Sequence, residues 1–284
     1  MSTIDIGRLR TWIGAQEQAS DIISAGLAAR FAATFDGRLA DADAAPLGIH
    51  WCLSPSAAPT GELGPDGHPR RGGFLPPVPL PRRMWAGGTI EFHAPARIGD
   101  RLTRRSRITD VSHKTGRSGQ LVFVTVEDDF FAEAGMVISE RRDIVYREAA
   151  SGPAAGQARL APRGADRSET VDASTILLFR YSALTFNSHR IHYDLDYARD
   201  EEHYPGLVVH GPLQATLLMN LAAKLAPGLA LKTATYRGVS QLIQGKPFTI
   251  NAILGNGSVS AWSADAAGHC AMTLEASFGR PGAN

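Results

Sequence analysis

Between Phe179 and Gly211 the chain reads FRYSALTFNSHRIHYDLDYARDEEHYPGLVVHG, a polar window that holds four of the nine histidines, His189, His192, His203 and His210. Histidine is the side chain whose ordinary pKa lies nearest neutrality, so this concentration suits proton transfer. Asn187 stands five residues before His192, and Gly211 follows His210 directly. Gly211 also opens the apolar run Leu213–Leu231. If that run is a helix, the Gly211 N–H lies at its N-terminus, where unpaired N–H groups and the helix dipole favour developing negative charge.

Other chemistries draw on the same residues. His189, His192, Asp194, Asp196 and His203 offer the nitrogen and oxygen donors that zinc or iron accepts, but without HExxH or comparable spacing. Ser182 and Ser188 lie near histidines, yet the sequence has no GxSxG nucleophile elbow, P-loop or GxGxxG fingerprint. His192 alone is compatible with a packed histidine, and Asn187 with a turn cap. His189 and Arg190 suit a bracing role in the loop.

The elements around the window show a repeat. Residues 149–170, rich in Ala, Gly and Pro, read as a linker between an N-terminal domain, 1–148, and a C-terminal domain, 171–284. Before the linker, Arg101–Val111, Gln120–Phe131 and Met136–Tyr146 have strand composition; after it, Pro247–Leu254, Ser258–Ala264 and Ala271–Phe278 repeat the plan. Laying Thr89–Ile108 over Thr235–Leu254 without gaps aligns Gly99 with Gly245 and Thr89 with Thr235. Ile22, Ile23, Leu27 and Phe31, and later Leu213, Leu217, Leu221 and Leu225, recur at helical spacing. The expectation is an α+β chain in which each half lays a long apolar helix on an antiparallel sheet.

Composition narrows the partners. Lys plus Arg number 29 and Asp plus Glu 28, a net charge of +1, so no global field favours nucleic acid or an anionic membrane. The longest apolar stretch is broken by Gln214, Asn220, Lys224 and Pro227, too polar for a membrane span. The N-terminus has no secretory pattern, and Cys52 and Cys270 stand far apart without metal-ligand spacing. A cytoplasmic protein with two buried thiols is expected.

The string Tyr181–His192, with Val209-His210-Gly211-Pro212 at the head of the apolar helix, resembles the MaoC-like hydratase and dehydratase family, which has the hotdog fold. The family's usual Asp-x-Asn-Pro-aliphatic-His frame is here Asn187-Ser188-His189-Arg190-Ile191-His192, with the histidine kept and the aspartate replaced. This form resembles the hydroxyacyl-thioester dehydratase type 2 branch, which includes mesaconyl-C4-CoA (3-methylfumaryl-CoA) hydratases. Arg71-Gly72-Gly73-Phe74-Leu75-Pro76-Pro77 and Leu80-Pro81-Arg82-Arg83-Met84-Trp85-Ala86-Gly87-Gly88 look like the same branch.

The resemblance implies a double hotdog whose first half shapes the acyl pocket and whose second half is catalytic. It implies a reversible hydro-lyase for an enoyl-CoA, with mesaconyl-C4-CoA giving citramalyl-CoA, no metal, and coenzyme A present only within the substrate. Dehydration of a 3-hydroxyacyl-CoA or acyl carrier protein thioester is the nearest alternative, and a hotdog thioesterase or acyl-CoA-binding protein a further one. Hydration needs a base for water, a proton for Cα and donors to the thioester oxygen. His192 suits the first two needs and the Gly211 N–H the third; Asn187, with no useful proton affinity, is left to orient the water. His189, His210 and Trp85 are candidate substrate contacts. Arg83, with Arg70, Arg71 and Arg82, suits a distal carboxylate, while Arg237 and Lys246 suit coenzyme A phosphates. The two halves can pair within one monomer, or the chain can dimerise further.

Overall fold

The computed structural model describes residues 4–41, 44–116, 119–148 and 159–281. Strands β1 (Gln16–Ile22), β2 (Arg82–Phe92), β3 (Arg101–Gly116), β4 (Gly119–Ala132) and β5 (Gly135–Arg147) form the first half; β6 (Arg167–Val171), β7 (Ala230–Gly238), β8 (Phe248–Leu254), β9 (Ser258–Ala264) and β10 (Cys270–Gly279) form the second. They join in one sheet of ten strands, ordered β1-β3-β4-β5-β2-β7-β10-β9-β8-β6. Reversing the order of one half gives the order of the other, so the duplication read from the sequence is present in the topology. Its axis can be located. In the antiparallel β2–β7 pair Thr89 faces Thr235, with hydroxyls 3.1 Å apart. These two residues coincide in the gap-free overlay, so a twofold relation between the halves must pass between them.

The helices break the symmetry. α1 (Ile6–Arg10) is a single short turn against β3. α2 (Ala25–Phe35) and α3 (Thr175–Leu184) follow the outer strands β1 and β6, each capped by a serine whose hydroxyl accepts an N–H three residues on, Ser24 from Leu27 and Ser174 from Leu177. The helix expected from Ile22 onward therefore begins later: Ile22 ends β1, Ile23 lies at the junction, and Leu27 and Phe31 remain on the helix. α2 packs against α3, with Phe35 edge-on to Tyr181. α4 (Gly211–Leu225) lies across β7–β10 and has no counterpart in the first half, where the described residues between Gly37 and Pro81 hold only two 3-10 turns. The helix expected in the first half is thus the shorter α2, and the long buried helix occurs in the second half alone among the described residues.

α4 is buried on all sides from Leu213 to Ala222, as its near-continuous apolar sequence requires. The sheet covers one side. The first-half segment before β2 covers another: the Asn220 side chain accepts from Ala40 N at 3.0 Å and donates to Leu47 O at 3.1 Å. Gly48 lies so close to Thr216 that an added Cβ would meet its Oγ1 at 2.4 Å. On α4, Gln214 accepts from Ser263 at 2.8 Å, while the Thr216 hydroxyl is buried without a hydrogen-bond partner among the described residues.

Of the expected linker, 149–158 lies outside the described residues. The remainder is paired: Leu160 bridges His269, and β6 pairs with β8 from Arg167 onward. No helix of the described residues is long and apolar enough to cross a membrane.

Candidate active site

The loop from Thr185 to His210 lies between α3 and α4. Asn187 shapes its first turn, its Oδ1 accepting the His189 N–H at 2.9 Å at the start of the 3-10 turn Arg190–His192. Arg190 braces the loop through Asp194 at 2.7 Å and through the carbonyl of Pro65 at 3.0 Å. The segment after it returns beside the turn: Val208 N donates to Ile191 O at 2.9 Å, and Val209 N to Leu242 O at 2.9 Å.

His192 is buried, and its Nδ1 lies 2.7 Å from the Val208 carbonyl. A carbonyl only accepts, so Nδ1 carries the proton and Nε2 keeps its lone pair. Burial, then the neighbouring His189, push the His192 pKa down to about 3 against the opposing pull of the Val208 carbonyl. His192 is therefore neutral near pH 7. The His210 ring stacks on it, centroids 3.6 Å apart at 18°, and His210 Nε2 meets the Ser182 hydroxyl at 2.8 Å. Burial first, and then His192 and His189, hold His210 well below the ordinary histidine value as well.

His210 is also the N-cap residue of α4, so Gly211 and its N–H stand one residue from the stacked pair. Gly211 is there because of Trp85. A Cβ on Gly211 would meet the indole at 2.6 Å, so only glycine lets the first half's tryptophan lie against the start of α4. Trp85 stacks on Tyr236 at 4.3 Å and meets Trp51 edge-on at 5.6 Å. Both partners donate to buried Glu140, Trp51 at 3.0 Å. Burial opposes the Glu140 charge, but His50, Arg142 and Tyr236 together hold its pKa below the usual carboxylate value.

A second first-half contribution is the loop Gly64–Pro69. Gly67, at φ +86°, packs so tightly on Ser188 that an added Cβ would meet its carbonyl oxygen at 1.9 Å. Asp66 O accepts from Arg190 N at 3.0 Å, and Asp66 Oδ2 lies 3.0 Å from His68 Nδ1. The His68 ring is 4.2 Å from that of His189, which stands edge-on to His192 at 5.4 Å. Asp66, His68 and His189 bring ligand atoms within 4.8 Å of one another. The set His189, His192, Asp194, Asp196 and His203 is not gathered in this way: Asp194 is paired with Arg190, and His203 faces the Arg199 carbonyl.

Beside this loop opens a cavity of about 500 Å³ lined by Arg70, Arg71, Arg82, Arg83, Glu201 and Glu202, among others. The arginines differ. Arg71 is used on the carbonyls of Val78, Leu80 and Pro81. Arg82 is buried against Glu202. Arg70 reaches Gly61 O at 3.1 Å. The Arg83 guanidinium makes no hydrogen bond or ion pair among the described residues.

The structure thus gathers Asn187, His189, His192, His210, Gly211, Trp85 and Arg83. Arg237 is exposed on β7, and Lys246 lines a separate cavity of about 290 Å³ with Arg199 and Gln244. Sequence reasoning missed Asp66 and His68, whose only signal was two titratable residues in the DGHPRRGG stretch, and Glu140, which is an isolated acid in a strand.

A ten-stranded sheet made of two like halves, with histidines gathered at the start of its central helix, is the arrangement of a double hotdog. A solved double-hotdog protein of Mycobacterium tuberculosis aligns with a TM-score of 0.57 at 16% identity, covering 94% of this chain and 96% of that one. A MaoC-like dehydratase aligns with a TM-score of 0.71 at 15% identity, covering 96% of this chain and 99% of that one. The family model for hydroxyacyl-thioester dehydratase type 2 matches residues 48–244, across both halves. Mesaconyl-C(4)-CoA hydratase of Chloroflexus aurantiacus is 50% identical over 216 residues, 74% of this chain and 77% of that protein. The chain belongs to the hydroxyacyl-thioester dehydratase type 2 family and is a hydro-lyase of the hydratase and dehydratase class.

Proposed function

We propose that the protein reversibly adds water to an α,β-unsaturated acyl-CoA, with mesaconyl-C4-CoA as substrate and citramalyl-CoA as product. The observation that carries the chemistry is His192, buried and neutral, its Nδ1 proton committed to Val208 and its Nε2 left as a base. Identity to the Chloroflexus aurantiacus hydratase supports the acyl group.

In the forward direction Nε2 takes a proton from water as the oxygen attacks Cβ, and the same nitrogen returns it to Cα. Negative charge moving onto the thioester oxygen is met by the Gly211 N–H at the head of α4. With its Oδ1 engaged on His189 N, Asn187 has its amide N–H groups to orient the water. His189, His210 and Trp85 bound the acyl end, and Arg237 and Lys246 meet coenzyme A phosphates from the surface. No metal or other cofactor takes part. One chain holds a complete site because its halves pair through β2 and β7, and its buried free thiols suit the cytoplasm.

The family description favours a second reading, dehydration of a 3-hydroxyacyl thioester on coenzyme A or an acyl carrier protein, with the same groups running in reverse. Both are tested by following enoyl absorbance and free thiol together over a panel that includes mesaconyl-C4-CoA and linear enoyl-CoAs. Hydration bleaches the enoyl band without releasing thiol. Thiol release at the rate of substrate loss would make the protein a thioesterase and end both readings.

A further inference from the structure

In mesaconyl-C4-CoA a free carboxylate is bonded directly to Cβ, the carbon that receives water. Whatever recognises it must therefore stand beside the group that handles the water, whereas the phosphates of coenzyme A lie many bonds away along the pantetheine arm. Leaving His192, the rings of His189 at 5.4 Å and then His68 at a further 4.2 Å form such a path.

The path ends in positive charge. Arg83 stands near enough to His68 and Asp66 to act on both electrostatically. Among the cavity arginines it alone keeps its guanidinium uncommitted, Arg71 and Arg82 being spent on carbonyls and on Glu202. His189 is 5% exposed, and its Nε2 is buried without a hydrogen-bond partner, 3.8 Å from the Glu202 carboxylate. Asp66 accepts from His68 Nδ1, which leaves a lone pair on Nε2 of the neutral ring, so His68 holds the His189 ring in place and does not itself donate to an anion. The trio Asp66, His68 and His189 has the composition of a metal site, but the Arg83 charge beside it disfavours a cation and favours an anion.

We propose that His189 and Arg83, with His68 holding His189 in place, form a clamp for a carboxylate carried on the substrate's β-carbon, so that the site selects dicarboxylyl thioesters over uncharged ones. The inference rests on the hydration reading above. Arg83 supplies the planar fork that binds a carboxylate through two N–H groups, and His189 Nε2, which has no hydrogen-bond partner among the described residues, donates to one of the same two oxygens. Arg83 and the supporting His68 both come from the first half, which thereby sets specificity for chemistry done by the second.

The test compares mesaconyl-C4-CoA with 3-methylbut-2-enoyl-CoA, in which a methyl group replaces the carboxylate. In Arg83→Met the ratio of kcat/KM for the charged over the uncharged substrate should fall about tenfold to a hundredfold, the loss of a bidentate charged contact. Arg83→Lys should recover part of it, and His68→Gln should lower it less. The same ratio read from competitive inhibition by the saturated pair, methylsuccinyl-CoA and isovaleryl-CoA, requires no turnover and applies to any variant that folds. An unchanged ratio, or equal loss on both substrates, overturns the clamp; equal loss would place Arg83 on coenzyme A. If the unaltered protein hydrates neither thioester, the hydration reading has failed instead.

Discussion

The two halves share their strands and differ in what lies between the outer strand and the seam. After β6 the second half has α3, the histidine loop and α4; after β1 the first half has α2 and then a long irregular segment. That segment is not idle. It covers one side of α4 through Ala40, Leu47 and Gly48, braces the histidine loop through Pro65–Gly67, and delivers His68. One copy of the duplication has the long helix at whose head the oxyanion is proposed to lie, and the space left by the missing helix in the other is filled by chain that supports and lines the candidate site. Removing acid–base chemistry should therefore be possible only in the second half, while contacts from the first should alter binding, packing and selectivity.

His192→Ala should have the largest effect, a loss of about 10²- to 10⁴-fold in kcat. The reciprocal change, His50→Gln at the buried histidine of the first half, should lower stability with much less effect on kcat at a temperature where the variant is folded, since His50 faces Glu140 and no reacting group. Near-normal turnover in His192→Ala would refute the assignment of chemistry to the second half.

The next effect is on acid stability. His192, His210 and His68 all have folded pKa values below the ordinary value, principally through burial. Below about pH 6.5 the unfolded chain binds protons that these sites refuse, so stability is full above that pH and is lost as pH falls toward the folded values. Each such group contributes up to about 1.4 kcal/mol per pH unit in this window. Urea unfolding at pH 7, 6 and 5 should show the decline, and His192→Ala should flatten it by one histidine's share. A slope identical with and without His192 would mean that its burial carries no proton linkage. By the same shift, the acid limb of the hydration rate should lie well below pH 6.5.

Gly211→Ala probes the seam. Its methyl would enter the Trp85 ring and force either the indole or the start of α4 to move, at a cost of about 1–3 kcal/mol. Because the conflict lies between halves, Trp85→Leu should relieve part of it; additive losses in the double variant, measured by thermal or urea unfolding, would show that the two positions are not coupled.

How far the sequence foretold this follows from where the signals lie. The meander strands β3–β5 and β8–β10 were legible because their apolar alternation survives burial on the core side. α4 was legible because it is apolar all round. β1 and β6 were not: they are the two edges of the sheet, Gln16–Ile22 alternates exposed and half-buried residues, and Arg167–Val171 is short and polar, so neither shows a core face. Asn187, His192 and Gly211 stood out because they crowd into one window. Asp66 and His68 did not, because they meet His189 from more than 120 residues away in sequence, and such a meeting leaves no local pattern.

Asn187 is where the comparison is sharpest, and its replacements should have the smallest effect on stability. Its Oδ1 caps the turn that positions His192, so Asn187→Ala should cost about 1 kcal/mol through the lost cap. Asn187→Asp keeps an oxygen for that cap and replaces the amide N–H groups with a second acceptor. Stability should then remain close to that of the unaltered protein, while a change in rate reports the lost amide donors together with the added charge. A carboxylate here would also add a titrating group to the single-histidine site proposed above. The pH–rate profile of Asn187→Asp should therefore gain a second limb in the carboxylate range; a profile superimposable on the unaltered enzyme's, with equal rate, would reduce Asn187 to its structural role as a turn cap.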